Sequence, residues 1–432
     1  MIVVELAVVL GAIVLGARLG GIGIGYAGGA GVLVLGLLGV SPGTAPFDVI
    51  SIIMAVIAAI AAMQVAGGMD HLVHLADGLL RRRPQQITYY APLVTYGMTL
   101  MAGTGHTAFS TLPVISEVAK ENGVRPSRPL SIAVVASQVA ITASPVSAAV
   151  IFMAAILDPF GVDYLQILAI TIPSTLLAVV LASLVTNRLG KDLADDEEYQ
   201  GRLARGEITF RARTEYVARP GAKRSVLVFL VGIVAVMAYA TAISENVGLI
   251  TNPALARNDA ILVIMLTVAT VITVTCGVST PKILEMSTFR SGMSACVCVL
   301  GVAWLGDTFV QHNLETIQEL SGDALDAQPW LLAVVLFFAS ALLYSQAATA
   351  SALMPAALAL GVSPLTAVAS FAAVSALFIL PTYPTLLAAV ELDDTGSTKI
   401  GRYVFNHPFI VPGTLTIVLA VLLGFAFGSV VL

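Results

Sequence analysis

The chain has 432 residues, of which 58% are hydrophobic and 11% charged, against roughly 25% charged in an ordinary soluble domain. That balance excludes a soluble enzyme, and a formal net charge of −5 leaves no basic surface for holding a nucleic acid. Cys276, Cys296 and Cys298 lie in or beside apolar stretches, where they read as small core residues and give neither a disulfide framework nor a zinc site.

A transmembrane helix needs about 20 mostly apolar residues, and windows of that kind recur along the whole chain. The first begins at Ile2 and carries Glu5 where a secretory leader would have basic residues, so it reads as a retained span. Hydropathy breaks and Gly/Pro punctuation place further spans at 22–40 and 49–68, an interrupted pair of short helices at 87–119, a broken helix at 130–157 and a span at 164–187. Residues 188–224 hold nine Lys/Arg and seven Asp/Glu with almost no apolar period, which predicts a solvated linker. The series then repeats as 225–243, 259–276, 291–310, an interrupted pair at 330–360, a broken helix at 365–390 and a last span at 408–431. The fold class is all-α and polytopic, with one repeat over 1–187, a linker over 188–224 and a second repeat over 225–432.

Gly23, Gly25 and Gly28 match a GxGxxG pattern, but no strand precedes them and no ribose-binding acid follows, so a dinucleotide site is excluded. Gly21, Gly25 and Gly29 instead predict a ridge of small residues for close helix packing. His71 and His74 are spaced i, i+3 and do not form the i, i+4 pair of a helical metal site. Arg81, Arg82 and Arg83 beside a span read as a cytoplasmic anchor.

Orientation follows from Lys and Arg, which collect in cytoplasmic loops. Let the N-terminus lie outside, and let both interrupted pairs return to the side they entered from, as re-entrant helical hairpins. Then Arg18, Arg81, Arg82, Arg83, Lys120, Arg125, Arg128, the nine linker cations, Lys282, Arg290, Lys399 and Arg402 fall inside, and only Arg257 falls outside. Both termini are then periplasmic and the two halves have inverted topology. Related motifs support the repeat: Thr107–Pro113 and Thr349–Pro355 share TAxxx[LM]P, and each is followed by Gly-Val-x-Pro, at Gly123 and at Gly361.

Inverted repeats with interrupted helices characterise secondary transporters, whose sites lie near the bilayer midplane. Unwound backbone at that depth is tolerated only where it is buried in protein or lines a cavity. The first hairpin tip offers Thr104, Gly105, His106 and Thr107, and the following break offers Ser144, Pro145 and Ser147. The second tip offers Ser345, Gln346 and Thr349, and its break Thr382, Tyr383 and Thr385. A half-helix begins at each place, and Ser144 before Pro145 reads as an N-cap with proline at the first helical position. Each helix start acts as roughly half a positive charge, so four on one point present on the order of two. That suits a dianion and needs no Arg or Lys inside the spans, where a central charge costs about 2.5 to 3.5 kcal/mol on insertion scales. The plain alternative for any of these hydroxyls is a bond to a carbonyl of its own or a neighbouring helix, and for His106 a structural hydrogen bond. Half-helix C-termini permit a coupling ion, Na+ or H+; no other cofactor and no metal is expected.

Long motifs carry a family resemblance: GARLGGIGIG from Gly16, GTGHTAFSTLP from Gly103, ASPVSAAV from Ala143, GKDLADDEEYQ from Gly190, SQAATASALMPAALALGV from Ser345 and ILPTYPTLLAAVELDDTGSTKIGRYVFNHPFIVPG from Ile379. With VRPSRP, AITIPSTL, FRSGM and GVAWLGDT they span nearly the whole chain, which resembles the anaerobic C4-dicarboxylate transporters of the Dcu A/B type, within the ion transporter superfamily. The resemblance implies uptake, exchange and efflux of fumarate, succinate, malate and aspartate at a bacterial inner membrane, by an elevator-like antiporter surrounded by lipid that dimerises with a second copy. It also implies that some members touch a membrane sensor kinase. The turn from Asp393 to Thr398 is a conceivable docking surface for one, with a solvated helix connector as the plainer reading. Alternatives to antiport of C4-dicarboxylates are a Na+- or H+-coupled carrier of another organic anion and a sensor-partner protein. No catalytic triad or metal set supports a membrane enzyme.

Overall fold

The computed structural model describes residues 2–19, 22–208, 217–243, 249–320, 328, 330–343, 345–380, 383–401 and 406–432. Among these the secondary structure is helical, without a strand. Seven helices are long and apolar enough to cross a membrane: Phe47–Val65, Ser127–Phe160 taken across its interruption, Tyr164–Thr186, Ala222–Ile243, Asn258–Cys276, Thr288–Asn313 and Ile410–Val431. Shorter apolar helices cover Ile2–Gly16, Gly23–Leu37, Leu331–Ala341 and Pro364–Ser375. A chain in hydrocarbon has to satisfy its backbone internally, which is why its apolar stretches close into helices.

Hydropathy passes over two helices. Gly68–Leu80 is amphipathic and follows a left-handed Gly67 (φ +86°). Glu197–Ala204 lies within the charged linker, capped by Asp196, whose carboxylate accepts from the backbone N–H of Glu198 (3.0 Å) and Tyr199 (3.2 Å). The linker is therefore not simply solvated. Arg125 pairs with Asp196, and Arg128 reaches Asp192 at 2.8 Å and the carbonyls of Leu189 and Gly190. Glu198 pairs with Lys399, and Arg202 donates to the Asp394 carbonyl at 3.2 Å. The linker thus clasps both the connection at 125–128 and the turn at 393–399. That turn faces inward: Asp393 accepts from Thr395, Ser397 and the Thr398 N–H, and Asp394 pairs with buried Lys120 at 3.0 Å. Asp393, Thr395, Ser397 and Thr398 are buried, so this stretch is neither a solvated connector nor a broad surface.

The helices form two groups of packed pairs, which meet where Ser287–Leu320 also packs along Gln346–Ala359. In the first, which we term the scaffold, Gly23–Leu37 lies along Ser287–Leu320, and Phe47–Val65 lies along Arg257–Cys276. Ile2–Leu19 flanks the one pair and Ala222–Ile243 the other. In the second group, Ile87–Ala102 packs on Ser127–Val139, and Tyr164–Thr186 packs along Ile410–Val431. Glycine sets the closest scaffold crossing, because a Cβ at Gly28 would fall on the backbone of Gly301 and one at Gly25 on the Val297 carbonyl. Gly29 has nothing within 4 Å and Gly21 lies outside the described residues. The ridge therefore runs through Gly25 and Gly28, an i, i+3 row, and not through the i+4 row expected from spacing.

Candidate functional site

Helix ends converge in the second group. Ile87–Ala102 stops at Gly103 (φ +65°), whose N–H donates to the Thr99 carbonyl at 2.8 Å. A Cβ there would stand 2.7 Å from the Val146 carbonyl oxygen, so this tip is pressed onto the neighbouring break and needs glycine twice over. The chain turns through Gly105–Thr107 into the helix Ala108–Glu121. Thr104 accepts from the His106 N–H at 3.3 Å, and the His106 ring stacks on Phe109 at 5.9 Å.

At the first break, Ser127–Val139 tightens through Ala140–Ala143 and passes through a turn over 144–147 before the helix Ala148–Leu157 starts. Residues 145 and 146 turn instead of opening a helix, with the Ser147 N–H donating to the Ser144 carbonyl at 3.2 Å, so the cap is not Ser144 but Ser147, which accepts from the Val150 N–H at 3.2 Å. Ser144 instead donates to the Leu100 carbonyl at 2.7 Å, and the Pro145 carbonyl accepts from Tyr164. In the second half, Leu331–Leu343 gives way to Gln346–Ala359, capped by Ser345, which accepts from the Ala348 N–H at 3.2 Å. Gln346 donates to the Gln138 carbonyl at 3.1 Å, and Ser375 reaches the same oxygen at 3.2 Å, which ties the two breaks together. The helix Pro384–Leu392 starts after an extended Tyr383, with proline at its first position.

These four starts surround one cavity of about 520 Å³, within the roughly 300 to 1,000 Å³ usual for small-molecule sites. Among the candidate residues, Thr104, Gly105, His106, Ser345, Gln346 and Tyr383 line it. Thr107, Ser144, Pro145, Ser147, Thr349 and Thr385 stand behind that lining. Thr107 meets Thr99 at 3.0 Å, Ser147 donates to the Ile141 carbonyl at 2.6 Å and Thr349 to the Ser345 carbonyl at 2.8 Å. Thr385 is buried in the first turn of its helix, without a hydrogen-bond partner for its hydroxyl among the described residues. Thr382 lies outside the described residues.

The opposite wall comes from the scaffold: Ile53, Ile57 and Ile60, and from Ser287–Leu320 the residues Thr288, Arg290, Ser294 and Cys298. Sequence placed Arg290 in a loop before a span at 291–310, whereas the helix already begins at Ser287 and Arg290 faces the cavity. A signal was available. A cation in the first turn opposes the helix dipole, and Arg290 stands there with no acidic residue in that turn.

Comparison with known proteins finds relatives along the whole chain. A family profile described as anaerobic C4-dicarboxylate membrane transporter matches residues 1–432. The C4-dicarboxylate transporter DcuA of Wolinella succinogenes is 64% identical over 433 residues and that of Escherichia coli 61%, each covering 100% of both chains. The anaerobic C4-dicarboxylate transporter DcuB of Escherichia coli is 36% identical over 442 residues, covering 99% of this chain and 98% of that one.

Proposed function

The chain belongs to the anaerobic C4-dicarboxylate membrane transporter family, and from that premise we propose that it is a secondary antiporter that exchanges one C4-dicarboxylate for another across a bacterial inner membrane. Fumarate, succinate, malate and aspartate each carry two carboxylates on a four-carbon backbone. The observation that carries the reading is the meeting of four helix starts on one cavity, because each start presents N–H groups without intrahelical partners to an anion. Ser345, Gln346 and Thr104 add directional donors for the carboxylates.

Packing supports two inverted repeats. With six elements per half, exchanging the halves maps the pair Gly23–Leu37 and Ser287–Leu320 onto Arg257–Cys276 and Phe47–Val65, and both pairs pack extensively. The pair Tyr164–Thr186 and Ile410–Val431 maps onto itself. In this reading the interrupted pairs are re-entrant hairpins, both termini are periplasmic, and the body carrying the tips slides past the scaffold as an elevator. The clasp at 188–207 rides with that body, since its partners at 125–128 and 393–399 belong there. Two copies form the working dimer, which cross-linking in native membranes would reveal.

Vesicles loaded with succinate should take up labelled fumarate several-fold faster than empty vesicles. Equal rates would remove antiport, and uptake that follows a Na+ or H+ gradient would replace it with symport.

A further inference from the structure

We propose that Arg290 is a counter-charge fixed to the scaffold, which binds a substrate carboxylate only while the cavity faces the cytoplasm, and so sets affinity at that face alone. The proposal rests on the alternating-access reading above and adds to it an asymmetry between the two faces.

Arg290 is the one Lys or Arg among the described residues that line the cavity, and no Asp or Glu lines it. Its guanidinium donates to the Glu285 carbonyl at 2.8 Å, and among the described residues no carboxylate pairs with it. A guanidinium has five N–H donors, so most remain available. Standing in the first turn of Ser287–Leu320, it also opposes the helix dipole, which disfavours a cation there. A bound carboxylate would relieve that opposition and accept two parallel hydrogen bonds. Thr288 and Ser294 flank it on the same wall with hydroxyls.

Arg290 belongs to the helix that is locked backbone to backbone against Gly25 and Gly28, whereas Thr104, Ser345, Gln346 and Tyr383 belong to the group that slides past it in the reading above, the two meeting where Gln346–Ala359 packs along Ser287–Leu320. A slide of even one helical turn, about 5.4 Å, carries a carboxylate held by the tips out of its reach. Arg290 also lies toward the cation-rich end of the molecule. Arg219 donates to the Val65 carbonyl at 2.9 Å and Arg224 to the Thr275 carbonyl at 2.7 Å, close in sequence to Lys282 and Arg290. By the distribution of Lys and Arg that end is cytoplasmic.

The test compares succinate exchange by Arg290→Gln in inside-out and right-side-out vesicles. The expected result is a KM raised about tenfold at the cytoplasmic face, equivalent to 1.4 kcal/mol, with the periplasmic KM unchanged and with recovery in Arg290→Lys. Raising the ionic strength should weaken cytoplasmic-face binding in the unaltered protein more than in the variant. Ser294→Asp, which offers Arg290 a carboxylate one turn along the helix, should give the same one-sided loss and serves if Arg290→Gln fails to fold. Equal changes at both faces, a change at the periplasmic face alone, or no change at either would overturn the proposal while leaving the transport reading intact. Absence of exchange by the unaltered protein at both faces would overturn the two together.

Discussion

In the scaffold, Gly23–Leu37 and Ser287–Leu320 cross where Gly25 and Gly28 let backbone touch backbone at Val297 and Gly301. In the other group, helices stop partway, and side chains take up the carbonyls left over. Ser144 donates to Leu100, Ser147 to Ile141, Ser340 to Ala373 at 3.2 Å and Gln346 to Gln138. The two arrangements differ in what they tolerate. An unbroken crossing has no unpaired backbone group and fails through added volume, while a broken helix has room for volume and fails through lost hydrogen bonds. Rigidity in one group and a cavity shaped by broken helices at the edge of the other are what the proposed sliding carrier requires.

The largest effect should come from adding volume to the crossing. Gly301→Leu places a Cβ on the Gly25 carbonyl, and because the obstacle is backbone, no rotamer relieves it. Overpacking costs about 1 to 3 kcal/mol where side chains can move, so here the loss should exceed roughly 3 kcal/mol and abolish a monodisperse peak in size-exclusion chromatography. Gly29→Leu, at a position with nothing within 4 Å, should leave that peak intact. Failure of both variants alike would dissolve the contrast between a locked crossing and an open helix face.

Next comes Gly103, where the broken helices also press a glycine against neighbouring backbone. Gly103→Ala forces a left-handed φ of +65° on a residue with a Cβ, at about 1 to 2 kcal/mol, and drives that Cβ toward the Val146 carbonyl. Exchange should fall at least tenfold while the protein still elutes as a folded species, and the thermal midpoint should drop by a few degrees. Unchanged exchange would mean that the placement of the tip does not matter to transport.

Much of this contrast was legible in the sequence. The spans, the interruptions and most of the cavity-lining tip residues follow from hydropathy, proline and glycine, because those residues act through the local backbone. What stayed hidden depends on partners far along the chain. Ser144 looked like a cap because Pro145 follows it, and only the distant Leu100 carbonyl, which it bonds, shows otherwise. Gly28 and not Gly29 carries the ridge because the crossing angle chooses between rows, and no single helix encodes that angle. The linker was read as solvated because its charges have no apolar period, yet Arg125, Arg128 and Lys399 pair with it from afar. Arg290 was missed because hydropathy marks where a span turns apolar and not where its helix begins.

The clasp gives a smaller, pH-dependent effect. Burial alone would raise the Asp196 carboxyl, but the hydrogen bond and charge of Arg125, with the N–H groups of Tyr199 and Glu198, hold it below its ordinary 3.8. The hydrogen bond from Lys399 is the main reason that Glu198 lies below 4.5. A carboxyl held low stabilises the folded state above its ordinary value, and that contribution is lost as pH falls through the lowered one. The thermal midpoint of the purified protein should therefore be flat at neutral pH and fall below about pH 4. Asp196→Asn should lower the neutral-pH stability by on the order of 1 kcal/mol and make the acid limb shallower. An acid limb of the same depth in the variant would place the titration elsewhere.

The finest test separates the lining of the cavity from the groups behind it. Ser345 and Thr349 lie within one turn of each other at the same helix start. The Ser345 hydroxyl accepts from the Ala348 N–H and its residue lines the cavity, whereas fully buried Thr349 only donates to the Ser345 carbonyl. Ser345→Ala removes a cap, at typically about 1 kcal/mol, together with a hydroxyl that can reach a carboxylate. Its KM for succinate should rise several-fold in exchange assays, with kcat less affected. Thr349→Val nearly conserves shape and removes a bond from a carbonyl that already accepts the Thr349 N–H at 2.9 Å. Its KM should stay within about twofold of the unaltered protein, since a lone intrahelical hydroxyl bond contributes little. A larger KM change for Thr349→Val than for Ser345→Ala would mean that the helix start opens during transport and exposes its second layer to substrate.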